Sequence, residues 1–193
     1  MSSLEKTTLP CTEVTLEKAE TKFYVVSRNK LILMSVLSSG FYLPYWHYRN
    51  WKAYRTATGE KVWPLIRAFL NIFFVYSLAT KIQRQLNSSG RQYEWHPRLL
   101  ALVIMVVGIF VNSMVYLPIS VKAYLPISLF LMVFSTLCLL RFQAAINHLE
   151  GDPEGRQNSR ITLANGAWIL VGCVVWFLLI YVNLLLSGYV SIH

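Results

Sequence analysis

Five apolar segments punctuate the chain, separated by short polar stretches that carry nearly all of its charge. They run over about 31–46, 65–80, 99–121, 123–140 and 166–188. As helices, the third and fourth would measure about 34 and 27 Å, close to the thickness of a bilayer hydrocarbon core. The fifth lies within an uncharged stretch, 161–192, that is easily long enough to cross. The first two are shorter, and each contains interruptions. Ser38, Ser39, Gly40 and Pro44 break the first, while Arg67 and Asn71 lie in the second. The pattern predicts an all-α integral membrane bundle over 31–192, preceded by an N-terminal cytoplasmic surface segment, 1–30. That segment mixes acids and bases and has no apolar core, so no secretory signal is expected.

Proline and glycine place the turns. In "YLPISVKAYLPIS", Pro118, Pro126 and Lys122 predict a tight hairpin between the third and fourth segments. One kinked helix over 99–140 would be about 63 Å long, too long for a bilayer. The linker "GDPEGRQNSRITLANG" reads as the one soluble-looking loop, with Asn165 and Gly166 opening the last span and Gly188 closing it.

A weak repeat accompanies this pattern. "KIQRQLN", 81–87, resembles "RFQAAIN", 141–147, at an offset of 60. Each copy closes an apolar segment, so a parallel repeat and chance similarity between helix ends both remain open.

Charge then bears on orientation. The chain of 193 residues has 18 Lys+Arg against 9 Asp+Glu, a net charge of +9, and only 14% of it is charged. Basic residues gather on the cytoplasmic side of membrane proteins. Lys22, Arg28 and Lys30 precede the first segment, Arg49, Lys52, Arg55 and Lys61 follow it, and Lys81, Arg84, Arg91 and Arg98 follow the second. Five ordinary crossings from a cytoplasmic N-terminus would place the first of these loops outside. A first segment that dips in and returns would keep all three basic regions cytoplasmic. The sequence leaves these two topologies open, with the first one or two segments as candidates for re-entry.

The stretch after the first segment has its own pattern. Tyr42, Tyr45, Tyr48, Trp51 and Tyr54 recur every three residues, one step ahead of Arg49, Lys52 and Arg55. This predicts an aromatic-basic belt, with Tyr45, Trp46, Arg49, Trp51, Lys52 and Arg55 contacting anionic lipid headgroups. Nucleic acid is not expected as a partner, because the belt is attached to an apolar segment.

The segment "SGFYLPYWHYRNWKAYRTATGEKVWPLIRAFLNIFFVYSLATKIQ" resembles the first half of a group of small bacterial inner-membrane proteins of unknown function. The features that carry the resemblance are Tyr45, Trp46, Tyr48, Asn50 and Trp51, the turn Gly59, Glu60, Lys61, and Arg67, Ala68, Phe69. "FQAAINHL" and "NSRITLANGAWILVG" are similar to its second half, so the likeness covers about 31–172. It implies a multi-pass protein of the bacterial inner membrane and supplies no activity, cofactor or catalytic residue.

Polar side chains within apolar runs are the remaining pointers. Arg67, Asn71, Asn112 and Asn183 are the candidate interface or polar contacts. Catalytic, cofactor-binding and metal sites are not expected. No Asp or Glu occurs between Glu94 and Glu150, His47, His96, His148 and His193 are scattered, and no nucleotide-loop or hydrolase motif is present. Three functions fit this profile. One is interaction with another membrane protein or with itself, including toxin immunity. The second is a small oligomeric transporter or channel subunit, and the third a lipid-modifying enzyme.

Overall fold

The two short apolar segments each divide into a pair of helices, and three later helices are long and apolar enough to cross a membrane. The computed structural model describes residues 21–186. Among these the protein is helical, with no strand. Expectations that fall on residues 1–20, and on Gly188 as the end of the last span, lie outside the described residues.

The first segment divides at the serine-glycine break. Helix α1 spans Arg28–Leu37 and is capped by the Ser27 hydroxyl, which accepts from Lys30 N. Ser39 and Gly40 then adopt φ of 51° and 84°. Two successive left-handed residues reverse the chain, a conformation that glycine enters without strain. The Ser38 hydroxyl accepts from Tyr42 N at 2.9 Å, opening α2, Tyr42–Thr58.

The reversal is plain from the contacts. Tyr24 N donates to Asn50 Oδ1 at 3.1 Å, and Phe23 stacks on Tyr54. In a straight helix residues 24 and 50 would stand about 39 Å apart. Gly59, with φ of 68°, ends α2.

The second segment also divides, at a position that carries neither glycine nor proline. Helix α3, Pro64–Phe69, ends at Leu70, and α4, Asn71–Ser88, begins directly after it. Glu60 nevertheless meets Lys81 in an ion pair, whereas a straight helix would separate them by about 31 Å. Helices α3 and α4 are therefore a second hairpin.

The long helices follow. Helix α5, Pro97–Ser113, continues through a 3₁₀ turn, Met114–Tyr116. Residues 117–120 make the turn into α6, Val121–Leu149. Pro126 is inside α6 rather than in the turn, a correction to the sequence reading. After a 3₁₀ turn at Arg156–Asn158, α7 spans Leu163–Leu186, so Asn165 lies in its first turn. Much of the side-chain surface of α5, α6 and α7 is apolar and exposed, as lipid contact requires.

The polar loops that follow α2, α4 and α6, with the ends of those helices, gather at one end of the bundle. Residues 23–26, expected on the surface, are instead buried there as an extended strip. A buried backbone needs partners, and side chains supply them. Phe23 N donates to Glu150 Oε1, Gln143 Nε2 to Tyr24 O, Asn158 Nδ2 to Val25 O, and Asn147 Nδ2 to Val26 O. Helix α1 runs beside α7, with Lys30 Nζ donating to Arg160 O and Trp176 Nε1 to Val36 O.

A candidate intramembrane cavity

At the opposite end of the bundle, the turn after α1 and the α3–α4 junction meet the helices α5, α6 and α7. Between them is a cavity of about 640 Å³. It is built from side chains that local structure delivers in different ways. The left-handed turn brings Ser39 and Gly40 to its wall, the break at Leu70 brings Phe69 and Asn71, and one face of α6 brings Tyr124, Ser128 and Ser135. No Asp, Glu, Lys, Arg or His lines it.

Three of the four predicted polar contacts converge on this space. Asn71, Asn112 and Asn183 all line the cavity, from α4, α5 and α7. Each donates one of its two amide N–H groups to a carbonyl: Asn71 to Ala68 O at 3.1 Å, Asn112 to Gly108 O at 2.7 Å, and Asn183 to Val121 O at 2.9 Å. None of their side-chain oxygens accepts from a described residue. The hydroxyls of Ser128 and Thr136 likewise donate to their own helix, to Tyr124 O and Met132 O. The lining is thus a mainly apolar wall carrying a few amide and hydroxyl groups that can accept or donate, which suits a neutral molecule with polar hydrogen-bonding groups.

Arg67 is not part of this cavity. It lies on the other side of the α3–α4 hairpin, its guanidinium over the rings of Trp51 and Phe74.

The expected headgroup belt is divided by the fold. Lys52 and Arg55 are exposed. Tyr45 and Arg49 are half-buried, with Arg49 over the Tyr24 ring and donating to Tyr45 Oη at 2.8 Å. Trp46 and Trp51 are fully buried, a correction to the sequence reading. The buried strip 23–26 and helices α3 and α6 cover the aromatic face of α2, so these rings are core and cannot touch lipid headgroups. Tyr42 and Tyr54, from the same stripe, are buried as well.

The sequence repeat has a structural counterpart. Trp46 Nε1 donates to Gln143 Oε1 at 2.6 Å, and Gln143 Nε2 donates to Asn147 Oδ1 at 2.7 Å. Trp95 Nε1 donates to Gln83 Oε1 at 2.7 Å, and Gln83 Nε2 donates to Asn87 Oδ1 at 2.8 Å. Each glutamine therefore links a tryptophan to the asparagine one turn on. The pair on α6 is buried and the pair on α4 is at the surface.

The sequence reading missed the hydroxyls of Tyr124, Ser128, Ser135 and Thr136. Their signal was available, because 124, 128 and 135 fall on one helical face. Among the described residues no three of His, Cys, Asp and Glu come together as a metal site. The chain matches no protein-family model, no curated protein and no solved structure.

Proposed function

We propose that the chain is a small transporter subunit of the bacterial inner membrane that passes a neutral, amphipathic solute through the cavity between α3–α7 and the α1–α2 turn. The observation that carries this reading is the uncharged cavity ringed by Asn71, Asn112 and Asn183. Broken helices whose ends face a site near the bilayer midplane are a recurrent transporter arrangement.

In this proposal α1–α2 and α3–α4 are re-entrant hairpins. Helix α1 is about 15 Å long, half the hydrocarbon thickness, and the chain returns after it to the end where it began. Irregular backbone at membrane depth is tolerated where it lines a cavity, as the turn at Ser39 and Gly40 does. The basic residues of 22–30, 49–61 and 81–98 then share one side, the cytoplasm. Three crossings follow, which puts the far end of α7 outside. The bacterial placement rests on the resemblance of the sequence motifs.

The reading as a binding partner for another membrane protein has less support. The asparagines that would grip a partner face the cavity and bond carbonyls of this chain.

The test is flux from proteoliposomes. Glycerol, urea and small neutral amphipathic alcohols should move faster than from empty liposomes, and Ser128→Trp, which fills the cavity, should abolish the difference. Rates equal to empty liposomes across the panel would reject transport. Cysteines at Ala57 and Ser89 should label from one side and at Ala123 from the other. Opposite labelling of 57 and 89 would reject the hairpins.

A further inference from the structure

The buried polar side-chain atoms without a hydrogen-bond partner among the described residues are His47 Nδ1, Trp51 Nε1 and Arg67 Nη1. They belong to one cluster. His47 and Trp51 are one turn apart on α2, on a shared face. The Arg67 guanidinium lies 4.2 Å from the centroid of Trp51 and 5.2 Å from that of Phe74.

An arginine in such a place is a costly arrangement. A buried donor without an acceptor carries its full desolvation penalty, and the penalty is larger for a charged group at membrane depth. The one ion pair among the described residues joins Lys81 to Glu60. Glu60 is near enough to feel the Arg67 charge, but its carboxylate is taken by Lys81 Nζ and Tyr54 Oη. Among the described residues, neither Arg67 nor Lys61 has an ion-pair partner of its own.

Beside the guanidinium is a cleft of about 230 Å³, lined by Lys61, Val62, Trp63, Ile66, Arg67 and Phe74. It is separate from the neutral cavity. Its surroundings are apolar and exposed: Trp63 is 73% exposed, and Leu65, Phe69 and Phe73 are exposed along the same two helices. Stacking on aromatic rings holds a guanidinium as a flat fork of donors, a shape that matches phosphate oxygens. Lys61 adds a second positive charge and disfavours a headgroup that carries its own ammonium.

We infer that Arg67 and Lys61 bind the phosphate group of an anionic glycerophospholipid seated in this cleft, with its acyl chains along the exposed apolar face of α3 and α4. The phosphate would lie against the guanidinium where Arg67 lines the cleft, within reach of Lys61. The site does not depend on the cavity or on transport.

The experiment uses the full chain purified in a neutral detergent, with bound lipid counted by native mass spectrometry. Phosphatidylglycerol, phosphatidylcholine and inorganic phosphate are the three probes. Phosphatidylglycerol should be retained as a one-to-one adduct. Loss of a charge-assisted hydrogen bond should weaken it about tenfold or more in Arg67→Gln. Arg84→Gln, which removes the same charge from the exposed end of α4, should leave retention unchanged.

Equal weakening by both variants would overturn the site in favour of diffuse surface attraction. Retention of phosphatidylcholine as strong as that of phosphatidylglycerol would overturn the anionic assignment. Thermal stabilisation by millimolar inorganic phosphate equal to that by the lipid would overturn the lipid source and assign a soluble phosphate compound. If Arg67→Gln does not fold, Trp51→Phe and Lys61→Gln carry the comparison. Each should weaken retention, and unchanged retention in both would reject the inference.

Discussion

Gly172 on α7 lies against the backbone of Ser38, at the turn where α1 ends. A side chain at 172 would run into Leu37 O and Ser38 Cα, neither of which can step aside alone. Gly172→Ala should therefore push the α1–α2 hairpin off α7, at a cost of about 1–3 kcal/mol. The Trp176 Nε1 bond to Val36 O, one turn on, should be lost with it. Thermal melting in detergent and tryptophan emission would report both. Gly166→Ala, inside the same helix, where a methyl meets nothing within 4 Å, should melt no lower than the parent.

Gly155 combines a left-handed φ of 66° with backbone contact. A Cβ there would come 2.5 Å from the carbonyl carbon and oxygen of Val26. Gly155→Ala should displace residues 23–26 and expose them to protease. Gly90 has φ of 69° but open space around it. Gly90→Ala should show only the conformational penalty, about 1–2 kcal/mol, and no new cleavage. Limited proteolysis distinguishes the two.

Gln143 and Gln83 make the same pair of bonds in different surroundings. Gln143→Leu would orphan Trp46 Nε1, Tyr24 O and Asn147 Oδ1 at once, all in buried contacts. Each buried group left unpaired costs about 1–3 kcal/mol, so the variant should fail to fold or melt far below the parent. Gln83→Leu, at the surface, should lose no more than about 1 kcal/mol. Denaturation midpoints of the two proteins give the comparison.

Glu60 ties the loop before α3 to α4 in a pH-dependent way. Hydrogen bonds from Lys81 and Tyr54 hold its carboxyl below the usual carboxylate range. A group whose folded value is lowered contributes stability above its unfolded value, and loses it as pH falls through the folded one. The stability difference between parent and Glu60→Gln should therefore be full at neutral pH and vanish in acid. The pair is partly exposed, so the effect is small and screened by salt. Melting curves at low and high salt across acid pH would check it.

The legible parts of this fold are those in which a local pattern acts alone. Long uncharged runs mark α5, α6 and α7, because lipid demands nothing else of them. Ser39 and Gly40 mark the first turn, because few residues enter the left-handed region. The break at Leu70 left no such mark. It is set by Glu60 reaching Lys81 and by Arg67 lying on Trp51, contacts between separate helices.

Trp46 and Trp51 looked interfacial for a related reason. The strip that buries them comes from upstream of α1, and no periodicity within α2 announces it. In the cavity, Asn71, Asn112 and Asn183 stood out as polar residues in apolar runs. Ser128 and Thr136 did not, because such hydroxyls commonly bond their own helix.

The buried strip at 23–26 also sets an order of assembly. It leaves the ribosome among the first described residues, yet the side chains that accept it come late. Asn147 lies 121 residues after Val26, and Asn158 lies 133 after Val25. Until the loop after α6 has been made, those carbonyls have only water as a partner, and the early hairpins have no cover at that end. Closure of this end of the bundle is thus a late step, one that waits until Asn147 and Asn158 have been made.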